Sequence, residues 1–334
     1  MPLTVLPDYL HAVIIYIQDE LQFPLSFEWK KRSNLPYGAQ CYYPCVLDGK
    51  IYISTGSRVL EYTPDTDTWV ELPTLDVHQY YGMLSLNGKV TVVSGVMKES
   101  EGLSREIYVW DPEIQQWTKP YPLMTMGRMS PGCASYQHYL IVAGGSPAQL
   151  LQLTTSVEIL DTRSGQWYKA PPMPYDGYHI RPVVIGKTLY LLFTIRGLMI
   201  YSKSILSVSL PTLISHAMQG KNCDASIWEN LPDVPFYDTS LFSISNMLLT
   251  AGGSQGGMTR ALLDIMQLKR NKPSADIYLF NPHINQWVKV GELPEARWAC
   301  SCAVLPSGEL LVAGGSYGER AGQELSTVYT ATIS

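Results

Sequence analysis

The chain has 334 residues, 46% of them hydrophobic and 16% charged, with a net charge of −5. That apolar content can fill a sizeable core, and the length suits either two average domains or one large all-β domain. The mild acidity and the lack of a basic cluster argue against nucleic acid as a partner, and no run approaches the ~20 apolar residues of a membrane-spanning helix.

Residues 1–28 form an N-terminal segment that fits either a short helix or a strand. Its apolar run, 12–17, follows Asp8 and His11 rather than a basic stretch, so it does not read as a signal peptide. From Trp29 onward one unit recurs. An Asp48-Gly49 turn precedes the strand KIYIST (50–55); then Tyr62, the polar stretch TPDTDT and Trp69 lead into a Leu72-Pro73 exit. Asn87-Gly88 opens the second unit, with KVTVVS (89–94), a longer loop at 96–104, Trp110, DPEIQQ and Trp117. The third reads YLIVAG (139–144), Leu160, DTRSGQ and Trp167, and ends at Pro171-Pro172.

The fourth unit, TLYLLF (188–193), has lost its glycines and carries an excursion at 211–226, part of which suits a helical turn before Trp228. The fifth, MLLTAG (247–252), holds the longest insertion, 254–275, with helical composition at 258–268, ahead of Phe280, NPHINQ and Trp287. The sixth, ELLVAG (309–314), runs to 333 without a tryptophan.

A large apolar residue, six turn-forming residues and a tryptophan describe a hairpin, and Asp-Gly and Asn-Gly mark the tight turns before it. Each unit is then four strands, a to d, with strand b ending in glycine and strand d headed by Trp. The glycine pairs followed by this spacing resemble the Kelch repeat. The resemblance covers residues 29–334 and implies an all-β fold, a six-bladed Kelch-type β-propeller of four-stranded blades. Trp29 has no strands a to c before it, and the last unit lacks strand d. Residues 29–35 are therefore expected to close the ring as strand d of the final blade, removing an open sheet edge.

LIVAGGS (140–146) could be taken for a phosphate-cradling loop. Its recurrence as LLVAGGS (310–316) and LTAGGS (249–254), with no helix signal behind it, makes the glycines structural. The cysteines, Cys41, Cys45, Cys133, Cys223, Cys300 and Cys302, form no C-x-x-C motif, and there is no N-x-S/T sequon. They read as small buried hydrophobes in a reducing, cytoplasmic setting, and Cys300 and Cys302 share one face of a strand. The propeller architecture also serves galactose oxidase, a copper enzyme. The six histidines here fall on separate blades or loops with no pair at ligand spacing, so neither a metal, a cofactor nor catalysis is expected.

Recognition remains. Counting back from the end of each strand b gives Gln40, Gln79, Arg128, His179, Phe236 and Arg297, beside Tyr37, Tyr80, Tyr178, Arg181, Tyr237 and Trp298. Tyr, Trp and Arg dominate binding hot spots. With Arg260, Lys269, Arg270 and Lys272 of the fifth insertion, these residues are expected to form a basic, aromatic surface at one channel mouth for a protein partner such as an acidic peptide or loop. The resemblance implies a monomeric, non-enzymatic module, either a cytoskeletal (actin-binding) or signalling scaffold or the substrate-recognition domain of a cullin-RING ubiquitin-ligase adaptor. The adaptors carry a BTB domain, for which the 28 residues before Trp29 leave no room.

Overall fold

The computed structural model describes residues 25–56, 58–100, 102–148, 152–196, 200–221, 224–255, 272–318 and 323–334. The aromatic-to-tryptophan spacing sets the register of each outer hairpin. Tyr62 lies opposite Trp69, Trp110 opposite Trp117, Leu160 opposite Trp167 and Phe280 opposite Trp287. The three aromatic pairs have ring centroids 4.7, 5.4 and 5.3 Å apart, within the range where such pairs add to simple burial.

Six blade sheets result, each built on a four-strand antiparallel path. Blade 3 shows the pattern: strands a to d are Gly132–Tyr136, Tyr139–Ala143, Val157–Asp161 and Gln166–Ala170. Strand a lines the central channel and strand d faces outward. Blade 6 consists of Ser301–Val304, Leu310–Ala313, Val328–Ile333 and, from the other end of the chain, Phe27–Arg32. The last two pair over six residues, from Phe27 with Ile333 to Arg32 with Val328. The ring closes as the sequence implies. The closing strand starts at Phe27, and Leu25 ahead of it is buried in the core between blades 5 and 6.

The excursion in blade 4 forms a helix, Leu210–Met218, with Pro211 in its first turn, where the missing amide costs nothing. It buries Leu210, Leu213, Ile214 and Ala217 in the core that also holds Ala170 of blade 3 and Trp228. The loop of blade 2 pairs Val96–Met97 with Val77–Gln79. The helical expectation for 258–268, and with it Arg260, Lys269 and Arg270, falls outside the described residues.

The glycines stitch neighbouring blades. In each case the last glycine of the turn donates its amide to the chain entering the next blade: Gly95 to the Arg128 carbonyl (3.3 Å), Gly145 to Gly177 (2.8 Å), Gly253 to Arg297 (2.8 Å) and Gly315 to Ala39 (2.8 Å). With those amides committed, LIVAGGS has none of them to offer a phosphate. Gly145 has φ +88°, and a Cβ on it would lie 2.6 Å from the Met129 carbonyl oxygen; Gly49, in a hairpin turn at φ +80°, faces open space. Gly49→Ala is expected to cost about 1 kcal/mol, the left-handed penalty alone, and Gly145→Ala about 3 kcal/mol or more. Denaturant unfolding of both variants checks this; equal losses would remove the stitching role.

Candidate functional site

Strand a runs from the mouth where strand d hands over to the next blade, which we term the loop mouth, to the mouth bearing the tight hairpins, the hairpin mouth. The d–a junctions and the b–c loops do share the loop mouth, because they are bonded together there. Met129 exchanges two backbone bonds with Ser146 (2.8 and 2.9 Å), Tyr237 with Ser254 (3.0 and 2.7 Å) and Trp298 with Ser316 (3.0 and 2.8 Å).

At the throat, five blades put a non-glycine residue into the left-handed region at one equivalent place. These are Tyr80 (φ 57°), Ser130 (45°), His179 (52°), Asp238 (50°) and Ala299 (51°). Backbone bonds link them around the channel: Ser130 N–H to the Tyr80 carbonyl (2.5 Å), Ala299 to Asp238 (3.1 Å) and Cys41 to Ala299 (3.0 Å). Such conformations cost about 1–3 kcal/mol each and persist only where the surroundings over-determine them.

Above the throat lies a cavity of about 600 Å³ that gathers Tyr37, Gln40, Gln79, Tyr80 and His179. Tyr80 is 42% exposed, and its ring meets the His179 ring edge-on at 5.7 Å. Tyr42, not among the expected binding residues, stacks on His179 at 5.8 Å and donates to Gln40 Oε1 (2.6 Å). Gln40 donates in turn to Ser316 Oγ at 3.3 Å, and Tyr37 lies 3.3 Å, hydroxyl to hydroxyl, from Thr55. Burial in the channel, with Arg181 as a second cause, pulls His179 down to about 3, so its imidazole is neutral at physiological pH.

The other expected residues part company with this cup. Arg128 and Arg297 are fully buried and spend their guanidinium groups inside the blades they lead into. Arg128 donates to the carbonyls of Gly144 (3.0 Å) and Ser156 (3.1 Å) and pairs with Glu158 at 2.6 Å. Arg297 repeats the arrangement on Gly314 (2.9 Å), Thr327 (3.3 Å) and Glu295 (2.7 Å). They hold strands b and c together, so the described part of the expected basic surface lacks both. Phe236 packs edge-on to Tyr278 at 6.0 Å, Tyr237 lies under Lys203 at 5.3 Å, and the Trp298 indole donates to the Gly318 carbonyl at 3.3 Å. Tyr178 opens strand a of blade 4, opposite Ile195.

Arg181 lies deeper, only 9% exposed, and reaches across the channel from blade 4 to blade 6, where Nη1 donates to the Cys300 carbonyl at 3.3 Å. Its guanidinium sits 5.4 Å from the centre of the Tyr42 ring. Five free cysteines, Cys300 and Cys302 among them, are buried as expected. Among the described residues no three His, Cys, Asp or Glu side chains gather at metal-binding distance, and no helix is long and apolar enough to cross a membrane.

Six four-stranded blades, tryptophan-headed outer strands and glycine stitches at the loop mouth together define a Kelch-type β-propeller. The Kelch motif family matches residues 127–174, which span blade 3 from its Arg128 entry to its proline exit. The chain is 25% identical over 237 residues to Kelch-like protein 25 of Rattus norvegicus, covering 69% of this chain and 35% of the relative. It is 23% identical over 169 residues to Kelch-like protein 36 of Mus musculus, covering 46% of this chain and 27% of the relative. The matched region thus spans about a quarter to a third of these relatives' length. The solved structure of YjhT superposes with a TM-score of 0.69 at 15% identity, covering 91% of this chain and 99% of that one.

Two outcomes test this assignment of roles. Arg128→Ala strands Glu158 in a dry site and is expected to lower stability by about 3–5 kcal/mol, read from denaturant melts; a surface arginine would cost far less. Asp238 carries the opposite signature. Burial pushes its carboxyl up to about 6 against the pull of Arg181. The protonated form is therefore favoured in the fold, and its contribution is lost as pH rises through about 6. Asp238→Asn keeps the shape and tolerates the left-handed backbone. It is expected to match the wild type near pH 4 and to exceed it by about 1–3 kcal/mol at pH 7.5. A pH-independent difference would remove Asp238 from the buried set.

Proposed function

We propose that the chain is a non-enzymatic protein-binding module of the cytoplasm, acting as a monomeric propeller whose partner docks on the cup at the loop mouth. The observation that carries this reading is the exposed pair Gln79 and Tyr80, projected from a throat that backbone bonds hold rigid. Loops on a rigid scaffold are where binding concentrates, and a tyrosine with few torsions to freeze is an efficient anchor. An acidic loop was expected to be selected by arginines, but Arg128 and Arg297 are withdrawn into their blades. Recognition then rests on stacking against Tyr80, Tyr42 and Tyr37 and on amide bonds from Gln40 and Gln79, which suit the main chain and polar side chains of an inserted loop.

The propeller accounts for only part of the length of the Kelch-like relatives. The likeness to Kelch-like proteins supports an interaction module, with a cytoskeletal or signalling scaffold as the first reading and the recognition domain of a cullin-RING adaptor as the second.

The test is a quantitative pull-down from cell extract, read by mass spectrometry, with three baits: wild type, Tyr80→Ala and Ile284→Ala. Ile284 is 51% exposed in a turn at the hairpin mouth and serves as the control. Partners held by the cup are expected to be retained by wild type and Ile284→Ala and depleted by Tyr80→Ala, with a loss of about 1–3 kcal/mol in measured affinity and no change in melting. Identical partner sets for all three baits would move the docking face elsewhere.

A further inference from the structure

The geometry points to a second, separate site: the channel below Arg181 binds a small monocarboxylate with an apolar body. Below the throat, strand a of all six blades encloses a chamber of about 440 Å³ leading toward the hairpin mouth. Its walls carry apolar side chains from every blade, Val46, Met83, Ala134, Pro182, Leu241 and Val304, with Ser85, Ser135, Ser240 and Ser243 also in the lining, and Arg181 is the one charged residue there. Arg181 lies at the chamber's inner end, its guanidinium largely buried.

That cation is incompletely partnered. Nη1 has the long bond to the Cys300 carbonyl, whereas Nη2 is buried and has no hydrogen-bond partner. Asp238 influences Arg181 electrostatically but forms no ion pair with it within 4 Å. A buried guanidinium with an idle donor is costly unless something completes it. The Cys300 carbonyl also accepts from Ser240 Oγ, so it stays satisfied if Arg181 lets go. Rotation about the terminal bonds of Arg181 exchanges the weak carbonyl bond for a forked contact with a carboxylate, the geometry guanidinium favours. One charged group among otherwise uncharged walls, in a chamber of this size, is the pattern of a small-molecule pocket. The uncharged side chains of the walls, Met83, Pro182, Leu241 and Val304 among them, suit a ligand body of aliphatic or aromatic carbon.

The site does not rest on the protein-binding reading, since it faces the other mouth, and Tyr80→Ala is expected to leave it intact. The experiment is calorimetric titration of the full chain with hexanoate, hexan-1-ol and acetate, repeated on Arg181→Gln and Arg181→Lys. Hexanoate is expected to bind saturably, and hexan-1-ol (body without charge) and acetate (charge without body) at least tenfold more weakly. Arg181→Gln should lose hexanoate binding at least tenfold, and Arg181→Lys should fall between. The wild-type comparison stands even if a variant misfolds. No saturable hexanoate binding, or equal binding of hexanoate and hexan-1-ol, overturns the proposal, as does unchanged binding by a folded Arg181→Gln.

Discussion

One hydrogen bond recurs so regularly that the ring is organised by it. In five blades the indole N–H of the strand d tryptophan donates to a carbonyl in the exit of the preceding blade. Trp69 reaches Ser33 (3.0 Å), Trp117 reaches Pro73 (2.8 Å), Trp167 reaches Pro122 (3.2 Å), Trp287 reaches Pro232 (3.0 Å) and Trp29 reaches Glu292 (3.0 Å). The same side chain fixes the hairpin register within its own blade. A single residue therefore sets both the geometry of a sheet and its angle to the next, and a repeat of small sheets becomes a closed ring. Trp228 is the exception: its Nε1 is buried without a partner. It lies in the core that the helix Leu210–Met218 fills, and there apolar packing substitutes for the missing bond.

Stitches at two radii complete the scheme. The tryptophans join blades at the rim, while glycine amides and the left-handed throat residues join them around the axis. The inner ring allows only a narrow range of backbone conformations, which explains why it tolerates Tyr80, His179 and Asp238 in positions that glycine would occupy more easily. Strain of that kind is accepted where a side chain is needed in a particular direction. Tyr80 and His179 line the cup from such positions.

Much of this was legible in the sequence because the repeat writes its geometry into spacing. The aromatic-to-tryptophan interval gave the hairpin register, Asp48-Gly49 and Asn87-Gly88 gave two of the turns, and the missing final tryptophan gave the closure. Other turns were harder to read. Ser245 and Asn246 both take left-handed backbone without a glycine, as does Gln137. The binding residues were legible in position only. Counting along the chain located Arg128 and Arg297 at the loop mouth, but not whether their side chains point outward or fold back onto the carbonyls of Gly144 and Gly314. That choice depends on Glu158, Glu295 and Thr327, which lie roughly 30 residues away or, for Glu295, on the same turn. Arg181 was placed with the surface because it sits two residues beyond His179, although a step of two along strand a leads down the channel rather than around its rim.

Closure by the first strand also governs the order of events during synthesis. Trp29 pairs with Ala331, about 300 residues later in the chain. At translation rates of roughly 5–20 residues per second, the strand that completes the sixth blade waits on the order of 15–60 s for its partner to leave the ribosome. Throughout that interval five blades can form, but the ring cannot: Phe27–Arg32 presents an unpaired edge to the crowded cell, and blade 5 an uncovered apolar face. The nascent chain is then a natural client for chaperones that shield β-edges, and a stop codon even a few residues early, within Val328–Ile333, would leave it permanently in that condition.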